Sequence, residues 1–140
     1  MARSQAVLVA YLRFSAGLYH ASIGMVMGEL LALAVSDANG SRYCDAVHTY
    51  TSKGLAIAPE IIQQARLGRS PVERVSEVLA FAKSVIASRG ADLPPAVHSL
   101  KMSNYSEQEI VEIIAQIALS TFSNYINLVA STENDYPGNQ

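Results

Sequence analysis

The chain has 140 residues, a common size for one domain, and half of them are hydrophobic. Charged residues make up only 16% and the formal net charge is −2, so there is no basic excess to bind nucleic acid. No apolar stretch reaches the roughly 18 residues of a membrane-spanning helix, so no association with a membrane is expected.

The spacing of apolar residues predicts helices along the chain, because no segment alternates for long with the period of a strand. The first four helices are predicted over residues 6–19, 25–39, 41–53 and 58–67. Asn39 and Gly40 supply the stop of the second helix, and Pro59 suits the first position of the fourth. The expected fold is an all-α bundle of about six to seven helices.

Two further helix starts carry the pattern of a capping box, in which a serine and a glutamate three residues later satisfy the first amide groups. Ser70 and Glu73 predict the start of a fifth helix. Residues 92–104 are predicted to form a connector with one short turn of helix. Ser106 and Glu109 predict the start of a last, long helix.

The domain is predicted to span residues 1–140, with 1–9 as an N-terminal extension and 132–140 as a polar surface tail. Its last helix is apolar on more than one face, and a helix of that kind is buried on several sides. With so little charge, the chain has apolar surface to hide. We therefore expect a homo-oligomer.

Chemically active side chains are concentrated in residues 29–48. Cys44 is expected in the first turn of the third helix, where unpaired amide groups and the helix dipole favour a thiolate. His48 lies one turn further on the same face, so its imidazole can approach the sulfur. Cys44 is the only cysteine, so the chain cannot form a disulfide within itself. A single free thiol is typical of a reducing compartment, and we therefore expect the protein in the cytoplasm.

Glu29 is located relative to these residues by the rise of a helix, about 1.5 Å per residue. If the second and third helices pack antiparallel, Glu29 comes level with His48 and stays too far from Cys44 for contact. The resulting order is carboxylate, imidazole, thiol, with room for a water molecule between the first two. This is the layout of a proton relay that activates a nucleophile.

Each of these residues also has a structural interpretation. A lone cysteine near a helix start is usually a small core residue. Glu29 is harder to explain in this way, because burial of an unpartnered carboxylate is strongly unfavourable. The three histidines are too dispersed to supply a metal site, and no glycine loop for phosphate is present, so neither a metal nor a bound cofactor is predicted.

The same residues carry a resemblance to a known family. Residues 28–49 resemble the core motif of the carboxymuconolactone decarboxylase / alkylhydroperoxidase AhpD-like family, and residues 105–127 and 132–137 resemble its C-terminal helix and tail. The core motif is a glutamate, a Cys-x-x-Cys pair that begins twelve residues later, and a histidine four residues after the second cysteine. The residues at the matching positions are Glu29, Cys44 and His48, with Tyr43 as a supporting neighbour in the motif.

The resemblance implies an all-helical fold that assembles as trimers or hexamers, and reduction of hydroperoxides by a relay from glutamate through histidine to a redox thiol. Two positions depart from the family pattern. Ser41 stands where AhpD-like members have the first cysteine, and Leu128 where close relatives often have a histidine. Because Ser-x-x-Cys cannot close a disulfide, an external thiol would have to resolve an oxidised Cys44, with Ser41 left as a supporting donor.

Three functions are compatible with these residues. In a one-cysteine peroxidase, Cys44 is the nucleophile, His48 its base, and Glu29 orients the histidine. In the decarboxylase branch of the family, His48 and Glu29 would instead move protons on a small lactone, with Cys44 incidental. The third function is a non-catalytic oligomer that has lost the redox pair. The retained Tyr-Cys-x-x-x-His motif favours the peroxidase.

Overall fold

A computed structural model of the protein describes residues 1 and 3–136, so the final four residues of the predicted tail lie outside it. Seven helices and no strand occur in this part of the chain, which confirms the predicted all-α fold class. The helices are α1 (Gln5–Tyr19), α2 (Gly24–Asn39), α3 (Arg42–Gly54), α4 (Pro59–Arg66), α5 (Glu73–Ser88), α6 (Pro94–Met102) and α7 (Glu107–Val129).

The centre of the bundle is α2, which packs against α3, α4, α5 and α7. Residues 30–36 of this helix are all buried, so over two turns it has no side that faces solvent. Large side chains of the neighbouring helices close around it, and burial of a leucine-sized side chain stabilises a fold by about 1.5–3 kcal/mol. The largest fully buried hydrophobic residues are Leu31, Leu33, Leu79, Leu100 and Ile113.

Two residues join α2 to α3. Gly40 has a φ of 68°, in the left-handed region that glycine adopts without a steric penalty. Its amide donates to the carbonyl of Asp37 at 3.1 Å, and the amide of Ser41 donates to the carbonyl of Ser36 at 2.9 Å. This pair of bonds is a Schellman motif, and it confirms the helix stop predicted at Asn39 and Gly40. The turn leads directly into α3, with Cys44 in its first turn.

The start of α5 differs from the prediction. The hydroxyl of Ser70 accepts a hydrogen bond from the amide of Val72 at 3.2 Å, not from Glu73. Val72 is consequently extended, with φ −91° and ψ 112°, and the helix begins at Glu73 without a side-chain cap. The predicted capping box at Ser70 is therefore wrong, because the serine forms a local turn before the helix starts.

The connector predicted over residues 92–104 is also more helical than expected. It contains α6, whose nine residues make more than one short turn. Pro94 and Pro95 occupy the first positions of this helix, where the amide hydrogens that proline lacks have no intrahelical partner. Leu100 is fully buried, so packing against the core stabilises a helix that local sequence alone does not predict.

The predicted capping box of α7 is confirmed. The hydroxyl of Ser106 accepts from the amide of Glu109, and the Glu109 carboxylate accepts from the amide of Ser106. Further along this helix, the amide of Asn124 is fully buried and makes two hydrogen bonds to α2. It donates to the hydroxyl of Ser36 at 3.3 Å and accepts from Asn39 at 3.0 Å. These bonds fix the C-terminal half of α7 against the end of α2.

The outer helix α1 packs against α7, and none of its residues is buried. It begins at Gln5, so residues 5–9 of the predicted N-terminal extension belong to its first turns. Several of its large apolar side chains face outward, among them Leu12 at 53% and Phe14 at 43% exposure. No helix in the described part of the chain is long and apolar enough to cross a membrane.

Candidate active site

Glu29 and His48 form a direct hydrogen bond between α2 and α3. Oε2 of Glu29 lies 2.8 Å from Nδ1 of His48, and both side chains are about one-fifth exposed. The sequence predicted that Glu29 would be level with His48, with room for a water molecule between them. The two side chains instead bond directly, and no bridging water fits. Because an ionised carboxylate only accepts hydrogen bonds, the proton of this bond belongs to Nδ1, and in the neutral imidazole Nε2 then presents a lone pair. In this arrangement Nε2 of His48 can accept a proton, and the Glu29 carboxylate stabilises the imidazolium that forms.

A cavity of about 200 Å³ opens beside this pair, and both Glu29 and His48 belong to its wall. The volume suits a small organic molecule, and the lining is mixed in polarity. Polar groups come from Tyr11, Gln116, Ser120 and Ser123, and apolar ones from Leu18, Ile23, Met25, Leu55 and Leu119. A small cavity in which polar and apolar groups surround a proton-transfer pair is a candidate ligand site.

Cys44 is buried and is in contact with one residue of the cavity wall, Ser123. Its side chain is buried at 3% exposure, and it is not one of the lining residues of the cavity. Sγ is 3.9 Å from the hydroxyl oxygen of Ser123, which does line the cavity, and it accepts a hydrogen bond from Nδ2 of Asn127 at 3.3 Å. Within the described residues Sγ has no hydrogen bond to His48. Both hydrogen-bonding contacts of the sulfur are therefore with residues of α7.

Ser41 occupies the N-cap position of α3, three residues before Cys44. Its side chain is buried, and within the described part of the chain its Oγ has no hydrogen-bond partner. The expected role of Ser41 as a donor to the thiolate therefore has no counterpart in the structure. The physical reason is that Sγ of Cys44 turns toward Ser123 and Asn127 of α7.

Tyr43 faces the segment that follows α7. Its ring makes an edge contact with Tyr136, with 5.9 Å between the centroids. Partial burial raises the pKa of Tyr43, and Tyr136, Asp135 and Cys44 shift it in the same direction. The side chain thus stays uncharged near neutral pH and ties the tail to the beginning of α3.

Sequence reasoning missed Tyr11, which belongs to the wall of the cavity although it comes from α1. Burial raises the pKa of Tyr11 most, the acidic groups of Cys44 and Glu29 nearby raise it further, and a hydrogen bond with Ser123 opposes this rise in part. Its ring also stacks on Phe122 of α7, with 6.1 Å between centroids. In the sequence, Tyr11 is one apolar position of a helix, and no motif distinguishes it.

Ser123 and Asn127, the two contacts of Cys44, were also missed as site residues. A signal for them existed, because Asn127 belongs to the Asn-x-x-Asn stretch in the segment that resembles the family's C-terminal helix. The sequence, however, contains nothing that brings this stretch to the start of α3.

The fold and the site define an all-helical protein with a Glu–His pair in a small cavity and a buried cysteine one helical turn from the histidine. A model of the Carboxymuconolactone decarboxylase family matches residues 5–87, more than half of the chain, and the protein belongs to this family. The match ends within α5, so it does not include α6 or α7. No curated protein matches the chain in sequence.

Solved structures extend the likeness to the C-terminal helices. An uncharacterized peroxidase-related protein from Ralstonia eutropha, described as an alkylhydroperoxidase AhpD core, has a TM-score of 0.83 and 20% identity, over 96% of this chain and 74% of its own. A protein of unknown function from Agrobacterium tumefaciens has a TM-score of 0.83 and 19% identity, over 97% and 94%. An uncharacterized peroxidase-related protein from Silicibacter sp. has a TM-score of 0.82 and 17% identity, over 91% of this chain and 70% of its own. At these identities the likeness establishes the AhpD-like fold.

Proposed function

We propose that the protein reduces a small organic hydroperoxide through Cys44 and is restored by an external thiol. The observation that carries this proposal is the 2.8 Å hydrogen bond between Glu29 and His48, in the wall of a cavity and one helical turn from Cys44. A base of this kind near a thiol suits proton removal from the nucleophile and proton delivery to the leaving group. The protein is accordingly proposed to be an antioxidant oxidoreductase of the peroxiredoxin type.

The first step oxidises the sulfur by two electrons. The thiol proton passes to Nε2 of His48, and the Cys44 thiolate attacks the terminal oxygen of the hydroperoxide. An S–O bond forms as the O–O bond breaks, and the leaving alkoxide takes the proton from His48 to give an alcohol. Because Sγ of Cys44 is buried, does not line the cavity and has no hydrogen bond to His48 among the described residues, this step needs a local movement that brings the sulfur to both.

The second step reduces the sulfenic acid with two equivalents of a small thiol. The first thiol attacks Sγ and forms a mixed disulfide, and the hydroxyl group leaves as water. The second thiol displaces Cys44 and releases a disulfide of the reductant. Ser41 has no sulfur with which to take part, so the electrons come from outside, with no bound cofactor. Supply of such thiols suits the cytoplasm, which is the location that we propose.

The proposal is tested by intact-mass spectrometry of the protein after one equivalent of tert-butyl hydroperoxide. Without thiol, Cys44 is expected to gain one oxygen, and with glutathione it is expected to carry a mixed disulfide. The matched control is Cys44→Ser, which should gain neither. A wild-type thiol that stays unmodified under both conditions would overturn the peroxidase and favour a non-catalytic oligomer or lactone chemistry.

A second candidate function is favoured by one specific observation: Glu29 and His48 line the cavity, whereas Cys44 does not. The pair alone can perform acid–base chemistry on a small lactone, with Nε2 of His48 removing a proton beside a carbonyl group. Glu29 would then stabilise the imidazolium that forms. In this scheme Cys44 is a buried structural residue, and its removal has little effect on the reaction.

We further propose that the protein is a homo-oligomer, a trimer or hexamer, formed through α1, the start of α2 and the outer face of α7. These helices expose a set of large apolar side chains that a monomer would leave in water. The set comprises Val9, Leu12, Phe14, Met25, Val26, Val111, Ile114, Phe122 and Tyr125.

The oligomer is tested by light scattering coupled to size-exclusion chromatography. The wild-type protein is expected at a multiple of its 15.0 kDa chain mass, and Leu12→Glu combined with Phe14→Glu is expected to shift it toward the monomer. Two carboxylates in an apolar interface lose hydration without a partner. Leu67→Glu is the control, since Leu67 is equally exposed but lies after α4. A monomeric wild type at micromolar concentration would refute this assembly.

A further inference from the structure

We infer that the side-chain amide of Asn127 is a catalytic hydrogen-bond donor to the sulfur of Cys44, and that Thr132 positions this amide. The inference rests on the proposed function in treating Cys44 as the reactive group. The inference states that Asn127 stabilises a negatively charged sulfur, and this stabilisation can be measured without a peroxide.

Three hydrogen bonds fix the Asn127 side chain. Nδ2 donates to the carbonyl of Ser123 at 2.9 Å and to Sγ of Cys44 at 3.3 Å, and Oδ1 accepts from the hydroxyl of Thr132 at 2.9 Å. The two ends of an amide are distinguished by their partners, and a carbonyl oxygen can only accept. A flipped amide would set Oδ1 against the Ser123 carbonyl, so Nδ2 is the atom that faces the sulfur.

Thr132 reaches Asn127 because of the way in which α7 ends. Ser131 has a φ of 49°, in the left-handed region. The amide of Ser131 donates to the carbonyl of Leu128 at 3.2 Å, and that of Thr132 donates to the carbonyl of Asn127 at 3.0 Å. This Schellman motif folds the chain back over the last turn of the helix. Thr132 therefore contacts Asn127 twice, through its backbone and through its hydroxyl.

The two contacts of the sulfur differ in what they stabilise. The hydroxyl of Ser123 directs its proton to the carbonyl of Ser120 at 3.0 Å, so it offers Sγ an acceptor, which suits the neutral thiol. Asn127 offers a donor, and a donor stabilises an anionic acceptor about twice as strongly as a neutral one. The bond from Asn127 therefore favours the thiolate, and equally a sulfenate, over their protonated forms.

The remaining groups near the sulfur do not supply that stabilisation. The phenols of Tyr11 from α1 and Tyr43 from α3 are near enough to Cys44 to interact with it electrostatically. The pKa of each is raised, so both stay uncharged near neutral pH. His48 is one turn away on α3 and bonds to Glu29. Among the described residues, the amide of Asn127 is thus the donor that contacts Sγ directly.

The test measures the ultraviolet absorbance of the thiolate, with the spectrum of Cys44→Ala subtracted. At pH values where the wild-type thiol is partly ionised, Asn127→Ala is expected to lower the thiolate fraction by up to about tenfold, as for the loss of one hydrogen bond to a charged group. Thr132→Val, which leaves Asn127 present but unoriented, is expected to lower it about threefold. Thr132→Ser keeps the hydroxyl and should restore the wild-type value.

Leu128→Ala is the control, because Leu128 is a neighbour of Asn127 that makes no hydrogen bond through its side chain; its thiolate fraction should not change. A wild-type thiolate fraction in both Asn127→Ala and Thr132→Val would overturn the inference. If Asn127→Ala does not fold, the comparison of Thr132→Val with Thr132→Ser decides alone. A lowered thiolate fraction in a protein that consumes no peroxide would support this role of Asn127 and refute only the peroxidase.

Discussion

The Cys44→Ala protein is expected to lose thiol-dependent hydroperoxide turnover by at least about a thousandfold, since removal of a covalent nucleophile has effects of this size. The chain contains a single cysteine, so no other thiol can take over the reaction. The loss should appear in kcat/KM for tert-butyl hydroperoxide, measured with glutathione or dithiothreitol in excess. Unchanged thermal unfolding of Cys44→Ala would exclude a loss of folded protein as the cause.

A variant of His48, the proposed base, distinguishes peroxide reduction from lactone chemistry when it is compared with Cys44→Ala. His48→Gln is expected to lower peroxide turnover by about a hundredfold or more, because general base catalysis contributes effects of this order. Both proposed reactions need His48, but they differ in their need for Cys44. Turnover of carboxymuconolactone that survives Cys44→Ala and is lost in His48→Gln would establish the lactone reaction and rule out the peroxidase as the main activity.

The second large effect is expected in the core. Leu31→Ala should lower the free energy of unfolding by about 3 kcal/mol, within the range found for buried leucine. Leu31 is fully buried in α2, the helix that packs against α3, α4, α5 and α7, so removal of its side chain leaves a cavity in the core. The measurement is urea unfolding followed by circular dichroism at one fixed protein concentration, because oligomerisation makes stability concentration-dependent.

Leu67→Ala is the matched control for this prediction. It makes the same chemical change at a residue that is 54% exposed, and the expected loss is below about 0.5 kcal/mol. Equal losses in the two variants would contradict the assignment of α2 as the centre of the core. A change in the slope of the unfolding curve would indicate that the variants altered the unfolded or partly folded state.

Local sequence signals predicted the parts of the fold that depend on neighbouring residues. The stop at Gly40 and the cap at Ser106 follow from chemistry within a few residues, and both are present. The proximity of Glu29 and His48 could also be predicted from the sequence. The turn between α2 and α3 is only two residues long, so the rise per residue of the two helices determines which residues lie side by side. Ser70 shows the limit of such signals, since its hydroxyl had a nearer amide to bond than the one that the capping pattern requires.

The rest of the site depends on contacts between residues far apart in the chain. Asn127 and Cys44 are separated by 83 positions, and Tyr11 reaches the cavity from the first helix. Hydrophobic periodicity predicts which face of a helix is buried but not which helix lies against it. For the same reason α6 was underestimated, because Leu100 stabilises it through the core and not through its local sequence.

The buried hydroxyl of Ser41 has a consequence for which side chain this position can best accommodate. A buried hydroxyl without a partner carries a cost of about 1–3 kcal/mol, whereas a thiol of nearly the same shape is a weak hydrogen-bonding group and loses little on burial. The position therefore suits a thiol better than a hydroxyl. One substitution, Ser41→Cys, would give the chain the Cys-x-x-Cys pattern of the motif that it resembles, and we expect the new thiol to be accommodated without loss of stability.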